Sequence, residues 1–100
     1  MKDHGIDEKI KKKIISIVSG LLPQTKILLF GSRATGRFRE GSDIDIALDA
    51  GKPLEFFDVC EVRNLLEASY IPYKVDVVDL HSVSQEMRDA ITRDGVLLNI

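Results

Sequence analysis

A chain of 100 residues, 44% hydrophobic, 30% charged and 6% aromatic, makes a single domain over residues 1–100 with one modest core and no second lobe to enclose a large substrate. Lys and Arg total 14 against 16 Asp and Glu, a net charge of −2, so the average field excludes nucleic acid as a bulk ligand. One cysteine, Cys60, forbids an internal disulfide, no apolar run approaches the roughly 18 residues of a membrane span, and Met1-Lys2-Asp3-His4 opens without a leader's apolar core, so a cytoplasmic protein without membrane contact is expected.

From Ile6 to Leu22 the apolar residues Ile6, Ile10, Ile14, Val18 and Leu21 recur at helical spacing and Pro23 closes the segment. Lys9, Lys11, Lys12 and Lys13 form its solvated side. Lys26–Phe30 is a short apolar run before Gly31-Ser32 and reads as a buried strand. A Gly- and Arg-rich loop, 31–41, leads to a second strand over Asp43–Leu48, where Ile44, Ile46 and Leu48 point to the core and Asp43, Asp45 and Ala47 point away. Gly51-Lys52-Pro53 turns the chain into a packed helix over Leu54–Ser69, apolar through Phe56, Phe57, Val59, Cys60, Val62, Leu65 and Leu66. Cys60 is core filler there. Tyr73–Val78 alternates as a third strand, with Tyr70 and Tyr73 packing at its entrance. Ser82 and Gln85 suit a capping box for a last helix carrying Val83, Met87, Ala90 and Ile91, stopped by Gly95. Val96–Ile100 is a short strand or extended tail.

The chemistry concentrates in residues 31–45. A strand ending in Gly31-Ser32 lets backbone approach a ligand closely, and successive N–H groups in such a turn cradle phosphate oxygens. Arg33, Arg37 and Arg39 add positive charge, with Arg33 the one expected to touch phosphate. Ser42 either contacts the ligand or caps the turn into the strand. Asp43 and Asp45, about 6.6 Å apart along a strand, share a face, and like charges held together need a cation between them. Mg²⁺ prefers carboxylate and phosphate oxygens, and paired ions clamp the attacking and leaving oxygens of an in-line displacement. Val75 and Val77 go to the core, so Asp76 joins Asp43 and Asp45 while Asp79 turns the chain into Leu80-His81-Ser82. His4 and His81 lack metal-ligand spacing and neither reads as catalytic.

Gly31-Ser32, ten residues and then Asp43-Ile44-Asp45 resembles the signature of the nucleotidyltransferase superfamily that includes DNA polymerase beta. The short length and GSRATG…SDIDIAL resemble the minimal nucleotidyltransferases, the MNT antitoxins of HEPN/MNT toxin–antitoxin pairs. The resemblance implies that Asp43, Asp45 and Asp76 hold Mg²⁺, that Asp76 also helps deprotonate an acceptor hydroxyl, and that Gly31 and Ser32 hold the β and γ phosphates of a nucleoside triphosphate. It further implies AMP transfer from ATP to a tyrosine on a HEPN ribonuclease partner. Two other functions stay open: an antitoxin that neutralises by binding alone, and a nucleotide-binding subunit that serves a small molecule or an RNA end. Self-association is likewise open. The expected fold is α+β, a small mixed sheet with helices packed on one face and the carboxylates of the second and third strands on the other.

Overall fold

In the computed structural model, which describes residues 4–99, Asp7 caps the first helix by accepting a hydrogen bond from the Ile10 amide at 2.8 Å. Met1–Asp3 and Ile100, the outer ends of the opening segment read for a leader and of the expected tail, lie outside the described residues. The elements are α1 (Glu8–Leu21), β1 (Lys26–Phe30), α2 (Ser32–Thr35), β2 (Ile44–Asp49), α3 (Phe56–Ala68), β3 (Val75–Asp79), α4 (Gln85–Asp94) and β4 (Val96–Leu97). Among the described residues no helix is long and apolar enough to cross a membrane.

The strands form one mixed sheet in the order β3-β2-β1-β4. β1 runs antiparallel to β2 and β4, and β2 runs parallel to β3 through the α3 crossover. The C-terminal end of β1 therefore lies beside the N-terminal ends of β2 and β3, which brings Gly31, Asp43, Asp45 and Asp76 to one end of the sheet. Period-2 alternation sends Ile27, Leu29, Ile44, Ile46, Leu48 and Val77 into the main core with Ile14 and Val18 of α1 and Val59, Val62 and Leu66 of α3. The opposite face carries Asp45 and Asp76, and farther along it Ala47 packs with Leu80 and Ile91.

The α+β mixed sheet is as expected, with α1 and α3 on one face. α4 differs by covering part of the other face, because Leu28, Phe30 and Val78 give that face an apolar half. The last helix is capped by Ser84, whose hydroxyl accepts from the Met87 amide, rather than by Ser82. Ser82 instead donates to Asp79 Oδ2 at 2.7 Å. That buried Asp79 also accepts from the Leu54 and His81 amides, so it ties the turn after β3 as expected and keeps Leu54 out of α3.

α3 departs most from its reading as a packed helix. Phe56 and Phe57 are 77% and 69% exposed, and Leu65 is exposed too. Val59, Val62 and Leu66 fill the side of the helix that meets the core, Cys60 is half-buried, and Phe56, Phe57 and Leu65 lie on the outer side. Tyr70, also expected to pack, is exposed. Leu66→Ala should cost about 2–5 kcal/mol through the cavity it leaves, whereas Phe57→Ala should stay within about 0.5 kcal/mol. Urea unfolding of the two variants compares them directly.

At the far end of β2 the His81 Nε2–H donates to Asp49 Oδ1 at 2.7 Å. This bond holds the Asp49 carboxyl below its ordinary value, outweighing the opposite effect of burial. A carboxylate depressed in the folded state stabilises above its unfolded pKa and loses that contribution as pH falls through the folded one. Part of the stability present at pH 7 is therefore lost below about pH 4. His81→Ala should shrink that loss, measured as the difference between denaturant midpoints at pH 7 and pH 3.

Candidate active site

Phe30 ends β1 opposite Asp45 of β2, and the next residue, Gly31, breaks out of the sheet with φ +76° and ψ −153°. Only glycine adopts that region freely. A Cβ on Gly31 would stand 2.5 Å from Asp45 Oδ2, so the turn backbone lies directly against the carboxylate. The chain then winds into the single turn α2, where a plain loop is expected from the Gly and Arg content. The left-handed Gly36 ends that turn, with the Arg37 amide bonded to the Ser32 carbonyl.

Asp45 and Asp76 are register partners on adjacent parallel strands, about 4.8 Å apart in backbone. Asp43 immediately precedes β2 and is exposed. Burial raises the Asp45 carboxyl above its ordinary value, the Asp76 and Asp43 charges raise it further, and Lys74 opposes them. The Lys74 ammonium lies 3.6 Å from Asp76 Oδ1 in an exposed pair, which contributes little on its own. Lys74 was legible by the same alternation that selected Asp76, since positions two apart on a strand share a face.

Among the described residues no three His, Cys, Asp or Glu side chains stand as a finished metal-ligand set. Asp45 and Asp76 with Asp43 beside them instead leave an open, oxygen-only cluster with surplus negative charge. Mg²⁺ is commonly held in that way, by one or two carboxylates with substrate phosphates completing the shell. The donor set therefore fits a hard divalent ion shared with a phosphate ligand.

Two cavities flank the cluster. One of about 330 Å³ runs from Gly31 and Ser32 past Arg37 to Met87, Ile91 and Asp94 of α4. A larger one of about 600 Å³ lies on the outer side of β3, between Arg63, Glu67, Tyr73 and Asp76. The smaller is the one continuous with the Gly31-Ser32 turn, and the larger borders only the third carboxylate.

Two expected nucleotide contacts are placed differently. Arg33 is fully buried and its guanidinium is taken up by the carbonyls of His4, Ser42 and Asp43, so it does not face a phosphate at Gly31. Arg37 is the arginine that opens onto the cavity beside Ser32. The Ser42 hydroxyl accepts from the Arg39 amide at 2.8 Å and caps the turn before β2, the second of the two roles its sequence position allows. Tyr73, expected to pack at the strand entrance, packs on the Arg33 guanidinium with its ring centroid 4.5 Å from Cζ.

Comparison with known proteins matches residues 12–99 to the family described as polymerase beta, nucleotidyltransferase. The chain belongs to that nucleotidyltransferase family. The protein adenylyltransferase MntA of Shewanella oneidensis is 34% identical over 86 residues, which are 85% of this chain and 61% of that relative. A crystal structure of a toxin–antitoxin with AMP-PNP superposes with a TM-score of 0.75 at 34% identity, covering 89% of this chain and 72% of the other. A tri-AMPylated Shewanella oneidensis HEPN toxin in complex with its MNT antitoxin gives a TM-score of 0.73 at 30% identity, covering 94% and 72%. The resemblance of this nucleotidyltransferase to the minimal enzymes of toxin–antitoxin pairs is thus borne out, and with it the class of enzyme.

Proposed function

We propose that this nucleotidyltransferase moves AMP from ATP to a tyrosine hydroxyl of a HEPN-domain partner and, by that modification, serves as its antitoxin. The observation that carries the reading is the abutment of the Gly31 backbone on the Asp45 carboxylate, with Asp76 as register partner. A phosphate-cradling turn and a cluster of carboxylates then act on one bound molecule. The relatives support the rest, being a protein adenylyltransferase and toxin–antitoxin complexes bearing AMP-PNP or an AMPylated HEPN toxin.

In this reading Gly31 and Ser32 hold the β and γ phosphates through backbone N–H groups and the serine hydroxyl. Asp43, Asp45 and Asp76 would hold Mg²⁺, which when bound would supply neutralisation of charge on the transferring phosphoryl group. The acceptor oxygen attacks the α-phosphorus in line as its proton passes to Asp76. The bond to the bridging oxygen breaks and pyrophosphate leaves.

Incubation with α-labelled ATP, Mg²⁺ and the product of the neighbouring gene should label a HEPN-domain protein, and the mass of the modified chain identifies the acceptor residue. Absence of label with the wild type refutes the enzymatic reading. Suppression of toxicity by an Asp43→Ala/Asp45→Ala variant that still binds the partner makes neutralisation a matter of binding instead.

A further inference from the structure

Arg33 is the largest fully buried side chain among the described residues, at 1% exposure, although it lies within the motif stretch. Its Nε and Nη2 donate to the Ser42 carbonyl at 3.1 and 2.7 Å, Nε also reaches the Asp43 carbonyl at 3.3 Å, and Nη1 donates to the His4 carbonyl at 3.0 Å. The His4 ring Nδ1–H donates back to the Arg33 carbonyl at 2.8 Å. Phe38 and Tyr73 stack on the guanidinium, 5.1 and 4.5 Å from Cζ to their centroids.

A guanidinium stays charged, so burying it is costly unless its donors are satisfied. A methionine or leucine would fill the same volume without that cost, so volume does not explain an arginine here. What arginine adds is a rigid fork that ties together segments 29 and 9–10 residues away in sequence. Asp43 needs such a tie because it precedes the sheet: the ladder to β3 opens one residue later, where the Ile44 amide bonds to the Lys74 carbonyl. Gly5, at φ +71°, lets the first segment close, since a Cβ there would come within 2.5 Å of both Arg33 Nη1 and the Phe38 ring.

We propose that Arg33 is a positioning residue for Asp43: its fork fixes the Ser42 and Asp43 carbonyls and so aims the Asp43 carboxylate toward Asp45 and Asp76, while His4-Gly5 closes over the guanidinium from the other side. The inference rests on the nucleotidyl-transfer reading for its kinetics and on the carboxylate cluster alone for its metal affinity. Arg33 touches no nucleotide in this arrangement. Its loss acts on the turnover number and on the metal, not on the KM for ATP.

The test compares wild type, Arg33→Lys and Gly5→Ala by kcat and KM for ATP in partner labelling, and by Mn²⁺ affinity of the nucleotide-free protein from electron paramagnetic resonance. Lysine keeps the charge and loses the fork, and Gly5→Ala displaces an intact Arg33, so it serves if Arg33→Lys does not fold. Both should lower kcat and weaken Mn²⁺ binding by roughly 10–100-fold, the usual effect of removing support behind a metal ligand, with KM for ATP little changed. Folded variants with wild-type kcat and wild-type Mn²⁺ affinity overturn the proposal, and a raised KM with unchanged kcat returns Arg33 to phosphate binding. If the wild type binds Mn²⁺ but transfers nothing, the reaction reading fails while the Mn²⁺ comparison still decides on Arg33. If it binds no Mn²⁺ either, both fall.

Discussion

Asp45→Asn is expected to lower nucleotidyl transfer by about 10³-fold or more, because losing several kcal/mol of transition-state stabilisation has that effect. The same change should raise the thermal stability of the metal-free protein at neutral pH. Asp45 is the carboxylate whose proton affinity is raised, first by burial and then by Asp76 and Asp43. A carboxyl with a folded pKa above its unfolded one binds more protons when folded, so stability falls as pH rises through that window and the ionised form is the less stable state. Asparagine removes the charge and keeps the shape. Added Mg²⁺ should then raise the melting temperature of the wild type more than that of the variant, since only the wild type retains the full negative cluster. Calorimetry with and without Mg²⁺, beside a labelling assay, checks both halves. A variant that loses activity and stability together would mean that Asp45 is a structural residue.

Gly31→Ala is expected to damage both properties. The backbone at Gly31 lies in a region that costs other residues about 1–3 kcal/mol, which in a domain of this size lowers the melting temperature by roughly 4–8 °C per kcal/mol. The added methyl also meets the Asp45 carboxylate, 2.5 Å away, and must push it aside. A misplacement of about 1 Å at a reacting centre can cost about 100-fold in rate. The rate loss should persist at temperatures where the variant is fully folded by circular dichroism. Ser32→Ala, one position on, has no such backbone demand and should leave the melting temperature nearly unchanged.

Much of this arrangement was legible in the chain. Alternation in Ile44-Asp45-Ile46 and in Val75-Asp76-Val77 assigns each carboxylate to the face away from the core, and the register pairing of Asp45 with Asp76 follows once the two strands are parallel neighbours. What was not legible depends on contacts between distant segments. Arg33 sits among exposed arginines in sequence, and its burial arises only because His4, Ser42 and Tyr73 converge on it from three separate segments. Phe56 and Phe57 look like core residues by type, but Val59, Val62 and Leu66 already fill the side of α3 that meets the sheet. The cap falls at Ser84, two residues beyond Ser82, because Asp79 claims the Ser82 hydroxyl. In each case contacts made in the folded chain, not the local pattern, decide where the side chain lies.

The placement of β2 has a consequence for motion. It is flanked by β1 and β3, and Ile44, Ile46, Ala47 and Leu48 have no solvent exposure, so its amides should be among the slowest of the protein to exchange with deuterium. Asp45 is therefore mounted on the stiffest strand of the sheet. The facing wall, the single turn of α2 and the side of α4 that lines the cavity at Gly31 and Ser32, has no such flanking strands. Bound nucleotide should therefore slow exchange at Ser32–Thr35, beside the Gly31 turn, far more than within β2.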